Sequence, residues 1–387
     1  MAITAKKLNF ESLFIFLFLV LFPFGQIIRI GIVQPIDLVV GAAALYSIIK
    51  NLKKPKILRY LNLFLIFAFA SWLFSSFTFK SIEIFYGFLY LIRLVAYIYF
   101  LVYAWNFAQK EEDKELLLDS LLAVSLISAF FGWIQFFWFA DIKPFFVWGW
   151  DMHLFRLVGT FLDPTFLGII IVFGLVISIN RFIDNKNWKM ALLVVFLVFS
   201  LAFTYSRASY LAFFAALLVI AFYRHLIKPI IVGILAFCLV IFLLPTAKNH
   251  SIELFRTFSA EARITDYKNT LLIFSKSPIF GVGYNNLCIA YQKYIGIQSF
   301  SSHACSGSDS SLLYILATTG IVGFVIFIFG IIRGARFLEH SLTTQIFVAN
   351  FAALLTHSFF SNSLVYPWVL GYLMILLALS VKERSLE

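Results

Sequence analysis

Long apolar segments separated by short polar segments run along the whole chain. Twelve such segments can be drawn, each near the ~20 residues that a helix needs to cross a bilayer. They fall at 10–27, 32–49, 57–78, 82–106, 116–140, 163–180, 188–204, 208–224, 228–245, 311–332, 342–361 and 364–381. The pattern predicts an all-α fold, a polytopic membrane bundle of about 12 transmembrane helices, in which residues 1–387 form one integral membrane domain.

Two polar segments are too long to be simple turns between spans. They are residues 141–162 and residues 246–310, and the second is the longest connection in the chain. Connections of this length are usually either functional or disordered. The stretch "ARITDYKNTLLIFSKSPIF" within 246–310 has helical and aromatic character, so we expect a large folded loop. Pro278, Gly281 and Gly283 predict a sharp turn in it.

Composition agrees with a membrane protein and excludes a soluble one. The 387 residues are 62% hydrophobic and only 13% charged, which leaves too few polar side chains to cover a soluble protein of this length. The net charge of +11 could indicate nucleic-acid binding, but no basic stripe or recognition motif accompanies it. We therefore expect the lipid bilayer, and no nucleic acid, as a partner. Residues 13–24 lack a following small-residue cleavage site, so we expect a first span there and not a cleaved signal peptide.

The distribution of Lys and Arg predicts the orientation in the membrane. Alternate connections are strongly basic, such as "KNLKKPKILR" at 50–59 and "RFIDNKNWK" at 181–189, whereas the connections between them carry few basic residues. The positive-inside rule then places both termini in the cytoplasm, and the 246–310 loop on the extracytoplasmic side of the cytoplasmic membrane. Arg93 alone falls well inside a span, and we expect it to face the bundle interior or a water-filled cavity.

Arg207, in the segment "TYSRASY" at 204–210, lies at the predicted outer end of a span. One interpretation is an interfacial arginine whose side chain reaches the phospholipid headgroups. The alternative is a binding site, because the other prominent polar clusters also fall on the predicted outer side. Among them are Arg156, which precedes the sixth apolar segment, and Asp163, which begins it. Asp163 is also a candidate N-cap, since Pro164 follows it.

The 246–310 loop supplies the remaining candidates on the predicted outer side. Arg256 and Arg263 lie in its first half. His303 and Asp309 stand just before the tenth apolar segment, where Asp309 is also a candidate helix cap. Each of these residues has a structural interpretation as well as a functional one, and the sequence leaves both open.

The cysteines and the missing motifs bear on the chemistry. Cys288 and Cys305 share the predicted outer loop, where a disulfide can form. No H-E-x-x-H, C-x-x-C or D-x-D motif occurs, so we expect no metal and no other cofactor. The outer polar set is instead rich in arginine, which binds phosphate and pyrophosphate in bidentate fashion with permanent charge. This chemistry predicts a phosphate-bearing lipid at the outer leaflet as the substrate.

Several stretches of the chain resemble the O-antigen ligase and O-antigen polymerase superfamily. "LAFTYSRASYLAFFAALL" at 201–218 is similar to the family's Ser-Arg turn between two spans, and "RITDYKNTLLIFSKSPIFGVGYNN" at 263–286 to its Arg-to-Pro-x-x-Gly-x-Gly stretch in the large periplasmic loop. "SDSSLLYILATTGIVGFVIF" at 308–327 resembles its helix start running into a Thr-Gly-x-x-Gly turn, and "RLVGTFLDPT" at 156–165 its Gly-Thr-Phe and Pro element. These stretches occur in the family's order.

The resemblance implies a metal-independent, inverting membrane glycosyltransferase. Its donor would be a polyprenyl-diphosphate-linked glycan on the outer face of the cytoplasmic membrane. Family members place arginines at the pyrophosphate, which here implies Arg207 and Arg263, with Arg156 and Arg256 as neighbours. Fixed guanidinium groups in a poorly hydrated site would stabilise the charge that builds on the departing diphosphate.

The candidates for the general base, which takes the proton of the acceptor hydroxyl, are Asp309 and His303. Ligases of the family carry a His-Asn pair where this chain has Asp309, ahead of the glycine that matches Gly320. A carboxylate there is more similar to the polymerases, so we expect a polymerase of lipid-linked oligosaccharide repeat units in surface polysaccharide or O-antigen biosynthesis. A chain-length regulator is a further candidate partner. The alternatives are a ligase that transfers the glycan to lipid A core or protein, and a solute transporter whose path Arg207 and Arg93 line.

Overall fold

The computed structural model describes residues 10–28, 33–79, 82, 84–148, 150–245, 258–296 and 307–382. Within these ranges the regular structure is helical, apart from two isolated β-bridges, which confirms the predicted all-α class. The helices are α1 (Phe10–Leu21), α2 (Pro35–Ile49), α3 (Leu58–Ser75), α4 (Ile84–Phe107), α5 (Glu111–Trp138), α6 (Pro164–Asn185), α7 (Trp188–Phe203), α8 (Arg207–Arg224), α9 (Ile227–Phe242), α10 (Phe258–Lys276), α11 (Leu287–Ile295), α12 (Ser311–Gly334), α13 (Leu342–His357) and α14 (Pro367–Ser380).

The predicted apolar segments correspond to helices one by one. Each of the twelve coincides with a helix, and the two further helices, α10 and α11, lie within 246–310. Among the described residues, six helices are long and apolar enough to cross a membrane, namely α3, α4, α5, α6, α8 and α12. Helices α1, α2, α7, α9 and α14 are apolar but shorter. The described residues thus form a helical bundle with several helices capable of crossing a membrane, and the count of twelve spans stays a prediction.

The centre of the bundle is formed by helices that are apolar on every side. Every residue of α14 is buried, as expected for a helix enclosed by other helices. Helix α6 is buried over most of its length in the same way. Around them, α8 packs against α13, α2 against α4, and α12 against α3.

Capping residues decide where the helices begin. As predicted, the Asp163 side chain caps α6 by accepting two backbone N–H groups. The cap of α12 is Ser310, whose Oγ accepts the N–H of Leu313 at 3.4 Å. The predicted alternative in which Asp309 caps α12 is therefore wrong, because the helix starts one residue later and the Asp309 side chain is exposed.

Arg93 faces the interior of the bundle, as predicted. Its Nη2 lies 2.7 Å from Oδ2 of Asp37 on α2, and both side chains are largely buried. Asp37 also accepts the Tyr97 hydroxyl at 3.2 Å and the Gln34 backbone N–H at 2.9 Å. A buried charge needs such a partner, so this ion pair joins α2 to α4 and compensates the Arg93 charge.

Helix α12 is interrupted at Gly320, and the segment after α10 fills the interruption. Gly320 has a φ of 68° and a non-helical ψ. The N–H groups of Ile321 and Val322 donate to carbonyls of residues 278–279, while residues 282–283 donate to the carbonyls of 317–318. These exchanged bonds satisfy the backbone groups that the break exposes, which is required inside a membrane. The glycine turn predicted from the sequence is thus present, with φ of 74° at Gly281 and 96° at Gly283, and it packs against the middle of a helix.

Candidate active site

Arg207 begins α8 directly after a tight turn. Tyr205 has a φ of 50°, in the left-handed region, which reverses the chain after α7. Ser206 caps α8, and its Oγ lies 2.8 Å from Oγ of Ser209. Gly168 of α6 permits the close approach of α8, because a Cβ there would overlap the Ser209 hydroxyl. The turn therefore presents Arg207, half-buried, at a helix N-terminus, where backbone N–H groups and the helix dipole also favour an anion.

Arg156 lies behind this turn and holds its backbone. The side chain is buried, and its Nε donates to the carbonyl of Thr204 at 2.8 Å and its Nη2 to that of Tyr205 at 3.1 Å. Its Nη1 lies 3.4 Å from Nδ1 of His153. Two edges of the guanidinium thus contact protein atoms, so the arrangement favours a role for Arg156 in fixing the turn that carries Arg207.

Arg263 reaches the same region from α10. It is partly buried, and it lies within electrostatic range of Arg207 and of His357 at the end of α13. Two arginines from different helices whose charges repel each other form a region of high positive potential, which an anion of two or more charges would relieve. The structure therefore brings together the two arginines that the resemblance implies for the diphosphate.

Asp309 is held next to this region by Asp266 of α10. Oδ2 of Asp266 accepts the backbone N–H of Asp309 and the hydroxyl of Ser308, each at 2.8 Å. Oδ1 accepts the hydroxyl of Tyr291 at 2.7 Å. The loop before α12 is thereby fastened to α10, one helical turn from Arg263.

The pKa of Tyr267, on α10, is affected by several charged groups of the candidate site. Its hydroxyl donates to the backbone carbonyl of Phe359. Burial raises the pKa of Tyr267; the Arg263 guanidinium opposes that shift, and the carboxylates of Asp309 and Asp266 add to it. The Tyr267 phenol is therefore within electrostatic range of Arg263 and of both carboxylates.

His357 is a residue of this region that the sequence analysis did not single out. It is fully buried; its Nε2 lies 3.3 Å from Oγ of Ser209 and its Nδ1 2.9 Å from Oγ of Ser363. It therefore links the first turn of α8 to the segment between α13 and α14. A histidine at the end of an apolar segment was the signal available, but its partners lie too far away in sequence to suggest this role.

Three of the predicted residues cannot be placed. Arg256, His303 and Cys305 lie outside the described residues. Cys288, the other cysteine of the predicted outer loop, is disulfide-bonded.

A possible metal-ligand group was not expected from the sequence. Asp151, His153 and Asp163 place ligand-type atoms within 4.8 Å of one another, the arrangement among the described residues that could share a cation. The Asp163 carboxylate is already used to cap α6. The predicted absence of a metal stays a prediction.

The comparisons with known proteins bear on this region of the chain. No curated protein gives a significant match. Residues 192–328 match a family described as O-antigen ligase, and this range contains Arg207, Arg263, Asp266 and Asp309. The match confirms the predicted resemblance to the O-antigen ligase and O-antigen polymerase superfamily over that part of the chain.

Proposed function

We propose that this protein is an inverting glycan polymerase that joins polyprenyl-diphosphate-linked oligosaccharide repeat units. The observation that carries the proposal is the position of Arg207 and Arg263 within electrostatic range of each other, in the family-matched segment, with Arg263 and Asp309 both within electrostatic range of Tyr267. The membrane bundle fits a substrate that is itself anchored in the bilayer. The reaction would belong to surface polysaccharide or O-antigen biosynthesis.

In this proposal the arginines act on the leaving group. As the bond between the anomeric carbon and the diphosphate oxygen breaks, negative charge grows on the diphosphate. Guanidinium groups that are already fixed by the fold stabilise this charge without reorganising. Arg207 would be fixed by the Ser206 cap and by the hold of Arg156 on the preceding carbonyls. Arg263 would be fixed by the docking of α10 through Asp266.

The base in this proposal is Asp309, with His303 as the other candidate. The acceptor hydroxyl would transfer its proton to the base while its oxygen attacks the anomeric carbon from the face opposite the diphosphate. One C–O bond forms and one breaks, so the configuration inverts and the polyprenyl diphosphate leaves. The exposed Asp309 side chain, outside the helix cap, is compatible with this role.

A ligase is the second candidate, because the family matched by residues 192–328 is described as O-antigen ligase. The transfer chemistry would be the same, and only the acceptor would differ. Ligases of the family carry a His-Asn pair at the position of Asp309. The carboxylate at this position is therefore the reason to prefer the polymerase. Transport has less support, since Arg93 is paired with Asp37 and the break in α12 is filled by protein.

The site would face the extracytoplasmic side of the cytoplasmic membrane, with both termini in the cytoplasm. The distribution of basic residues supports this orientation. A chain-length regulator would be an additional partner in the membrane. No nucleic acid or cofactor is required by the proposed reaction.

The experiment that tests the function uses the full-length protein in proteoliposomes with purified lipid-linked repeat units. Products several repeats long support the polymerase. Product that forms only when core lipid is added supports the ligase. Flux of solute without glycosyl transfer would refute both transferase proposals and favour the transporter.

A further inference from the structure

The carboxylate of Asp266 lies where three separate parts of the chain meet. It projects from α10 and receives hydrogen bonds from α11, through Tyr291, and from the segment before α12, through Ser308 and Asp309. Thr270, one turn further along α10, lies 3.1 Å from the Tyr291 hydroxyl and donates to the Ser308 hydroxyl at 3.2 Å. Tyr291, Ser308 and the Asp309 N–H all donate to the Asp266 carboxylate, an arrangement that two carboxylate oxygens satisfy as acceptors.

We infer that Asp266 is a positioning residue that sets the distance between Asp309 and the arginine region. Residues three apart on a helix lie on the same face, so α10 presents Arg263 and Asp266 together. The hydrogen bond from the Asp309 backbone N–H to Asp266 fixes the residue that would carry the base. The inference rests on the proposed function, in which Arg263 contacts the diphosphate and Asp309 takes the acceptor proton.

An asparagine reproduces only part of this arrangement, because it is uncharged and has one acceptor oxygen where Asp266 has two. Its amide has one acceptor oxygen and one nitrogen that only donates. If the oxygen faces Ser308 and Asp309, the nitrogen faces the Tyr291 hydroxyl. The Tyr291 hydroxyl, which donates to Asp266 at 2.7 Å, would then have to accept from that nitrogen instead, so one of the hydrogen bonds to position 266 is reversed. If the amide is reversed, the nitrogen faces the Asp309 N–H, which as a backbone group cannot rotate away.

The effect on the reaction should therefore be large and should act through Asp309. Displacement of a catalytic group by about 1 Å costs on the order of 100-fold in rate, so we expect Asp266→Asn to lower kcat about 10- to 100-fold. In an Asp309→Asn background the same change should alter the residual rate by no more than about twofold, the usual error of such double-mutant cycles. Asp266→Glu keeps the charge and the acceptors and should recover part of the activity.

The matched control is Glu261→Gln, the same chemical change at an exposed position of the same helix. It should leave both activity and structure as in the wild type. Amide hydrogen exchange over residues 307–313 gives a readout that does not depend on activity. Exchange there should accelerate in Asp266→Asn and not in Glu261→Gln, because the Asp309 N–H loses its charged acceptor.

Each outcome separates the inference from the function it rests on. If Asp266→Asn lowers the rate equally in both backgrounds, its role is structural only, and the inference is overturned. Full activity of Asp266→Asn, full activity of Asp309→Asn, or unchanged exchange over 307–313 would overturn it as well, while glycan transfer by the wild type would still stand. Absence of any transfer by the wild type would refute the proposed function itself.

Discussion

Arg207→Lys is the substitution that separates a membrane-interface arginine from a diphosphate-binding one. A residue that only reaches the phospholipid headgroups needs charge and length, and lysine provides both. A residue that binds diphosphate through a planar fork with two parallel N–H groups cannot be replaced in this way. We therefore expect Arg207→Lys to be nearly as inactive as Arg207→Ala.

The expected size follows from how Arg207 is held. The Ser206 cap and the Arg156 hydrogen bonds fix the backbone of the turn without using the Arg207 side chain. The turn should therefore survive the substitution, and in the proposed reaction the contact between Arg207 and the leaving diphosphate is lost. Removing a preorganised contact of this kind costs about 3–4 kcal/mol, or ~100- to 1000-fold in kcat.

The melting temperature of Arg207→Ala should rise or stay unchanged. Arg207 and Arg263 repel each other, so Arg207→Ala removes a like-charge interaction and should not lower the melting temperature. Inorganic pyrophosphate should stabilise the wild type against heat and should stabilise either variant less, because a ligand that binds only the folded state raises its stability.

The assay measures polymer formed from lipid-linked repeat units alongside protein abundance and melting temperature, for the wild type and both variants. Full activity of Arg207→Lys would refute the reasoning and favour the interfacial role. Loss of both activity and folded protein in Arg207→Ala would also contradict it, since a structural role would then account for the result.

Three other predictions can be checked separately. Asp309→Asn should lose on the order of 100- to 10,000-fold in transfer rate, while His303→Ala should keep partial activity. The reverse result would assign the general base to His303. If both variants keep full activity, neither residue is the base. Gly320→Ala should lower the stability by at least ~1–3 kcal/mol, because the backbone there has a φ of 68° and a Cβ would overlap a carbonyl oxygen, whereas Gly330→Ala, whose Cβ would have no neighbour nearer than 3.8 Å, should be neutral in the same thermal unfolding measurement. A reporter fused after residue 270 should be extracytoplasmic, and a cytoplasmic signal would contradict the proposed orientation and the site with it.

The positions of the helices could be predicted because they depend on local composition. Apolar segments of sufficient length become helices wherever they occur, and the caps at Asp163 and the turn glycines at Gly281 and Gly283 follow local rules. The filling of the α12 break at Gly320 could not be predicted in the same way. It depends on hydrogen bonds between residues 278–283 and residues 317–322, and nothing in either stretch alone specifies the other.

The candidate site was predictable by residue type but not by arrangement. The chemistry of arginine and the family resemblance predict Arg207 and Arg263. In contrast, the hydrogen bond between Asp266 and the Asp309 backbone joins residues 43 positions apart, and the one between Arg156 and Thr204 joins residues 48 positions apart. Such distant partners leave no periodic signal in one sequence.

The residue at which α12 begins determines whether the Asp309 carboxylate caps the helix or lies outside it. Had Asp309 capped the helix, its carboxylate would have accepted the first backbone N–H groups of α12, and hydrogen bonds to its charged form would have made it a weaker base. Ser310 takes that place with its hydroxyl, so the Asp309 side chain lies outside the helix and is exposed. The Asp309 backbone N–H, left without a partner in the helix, is bound by Asp266. The two adjacent residues thus separate helix capping, by Ser310, from the role proposed for Asp309 as the base.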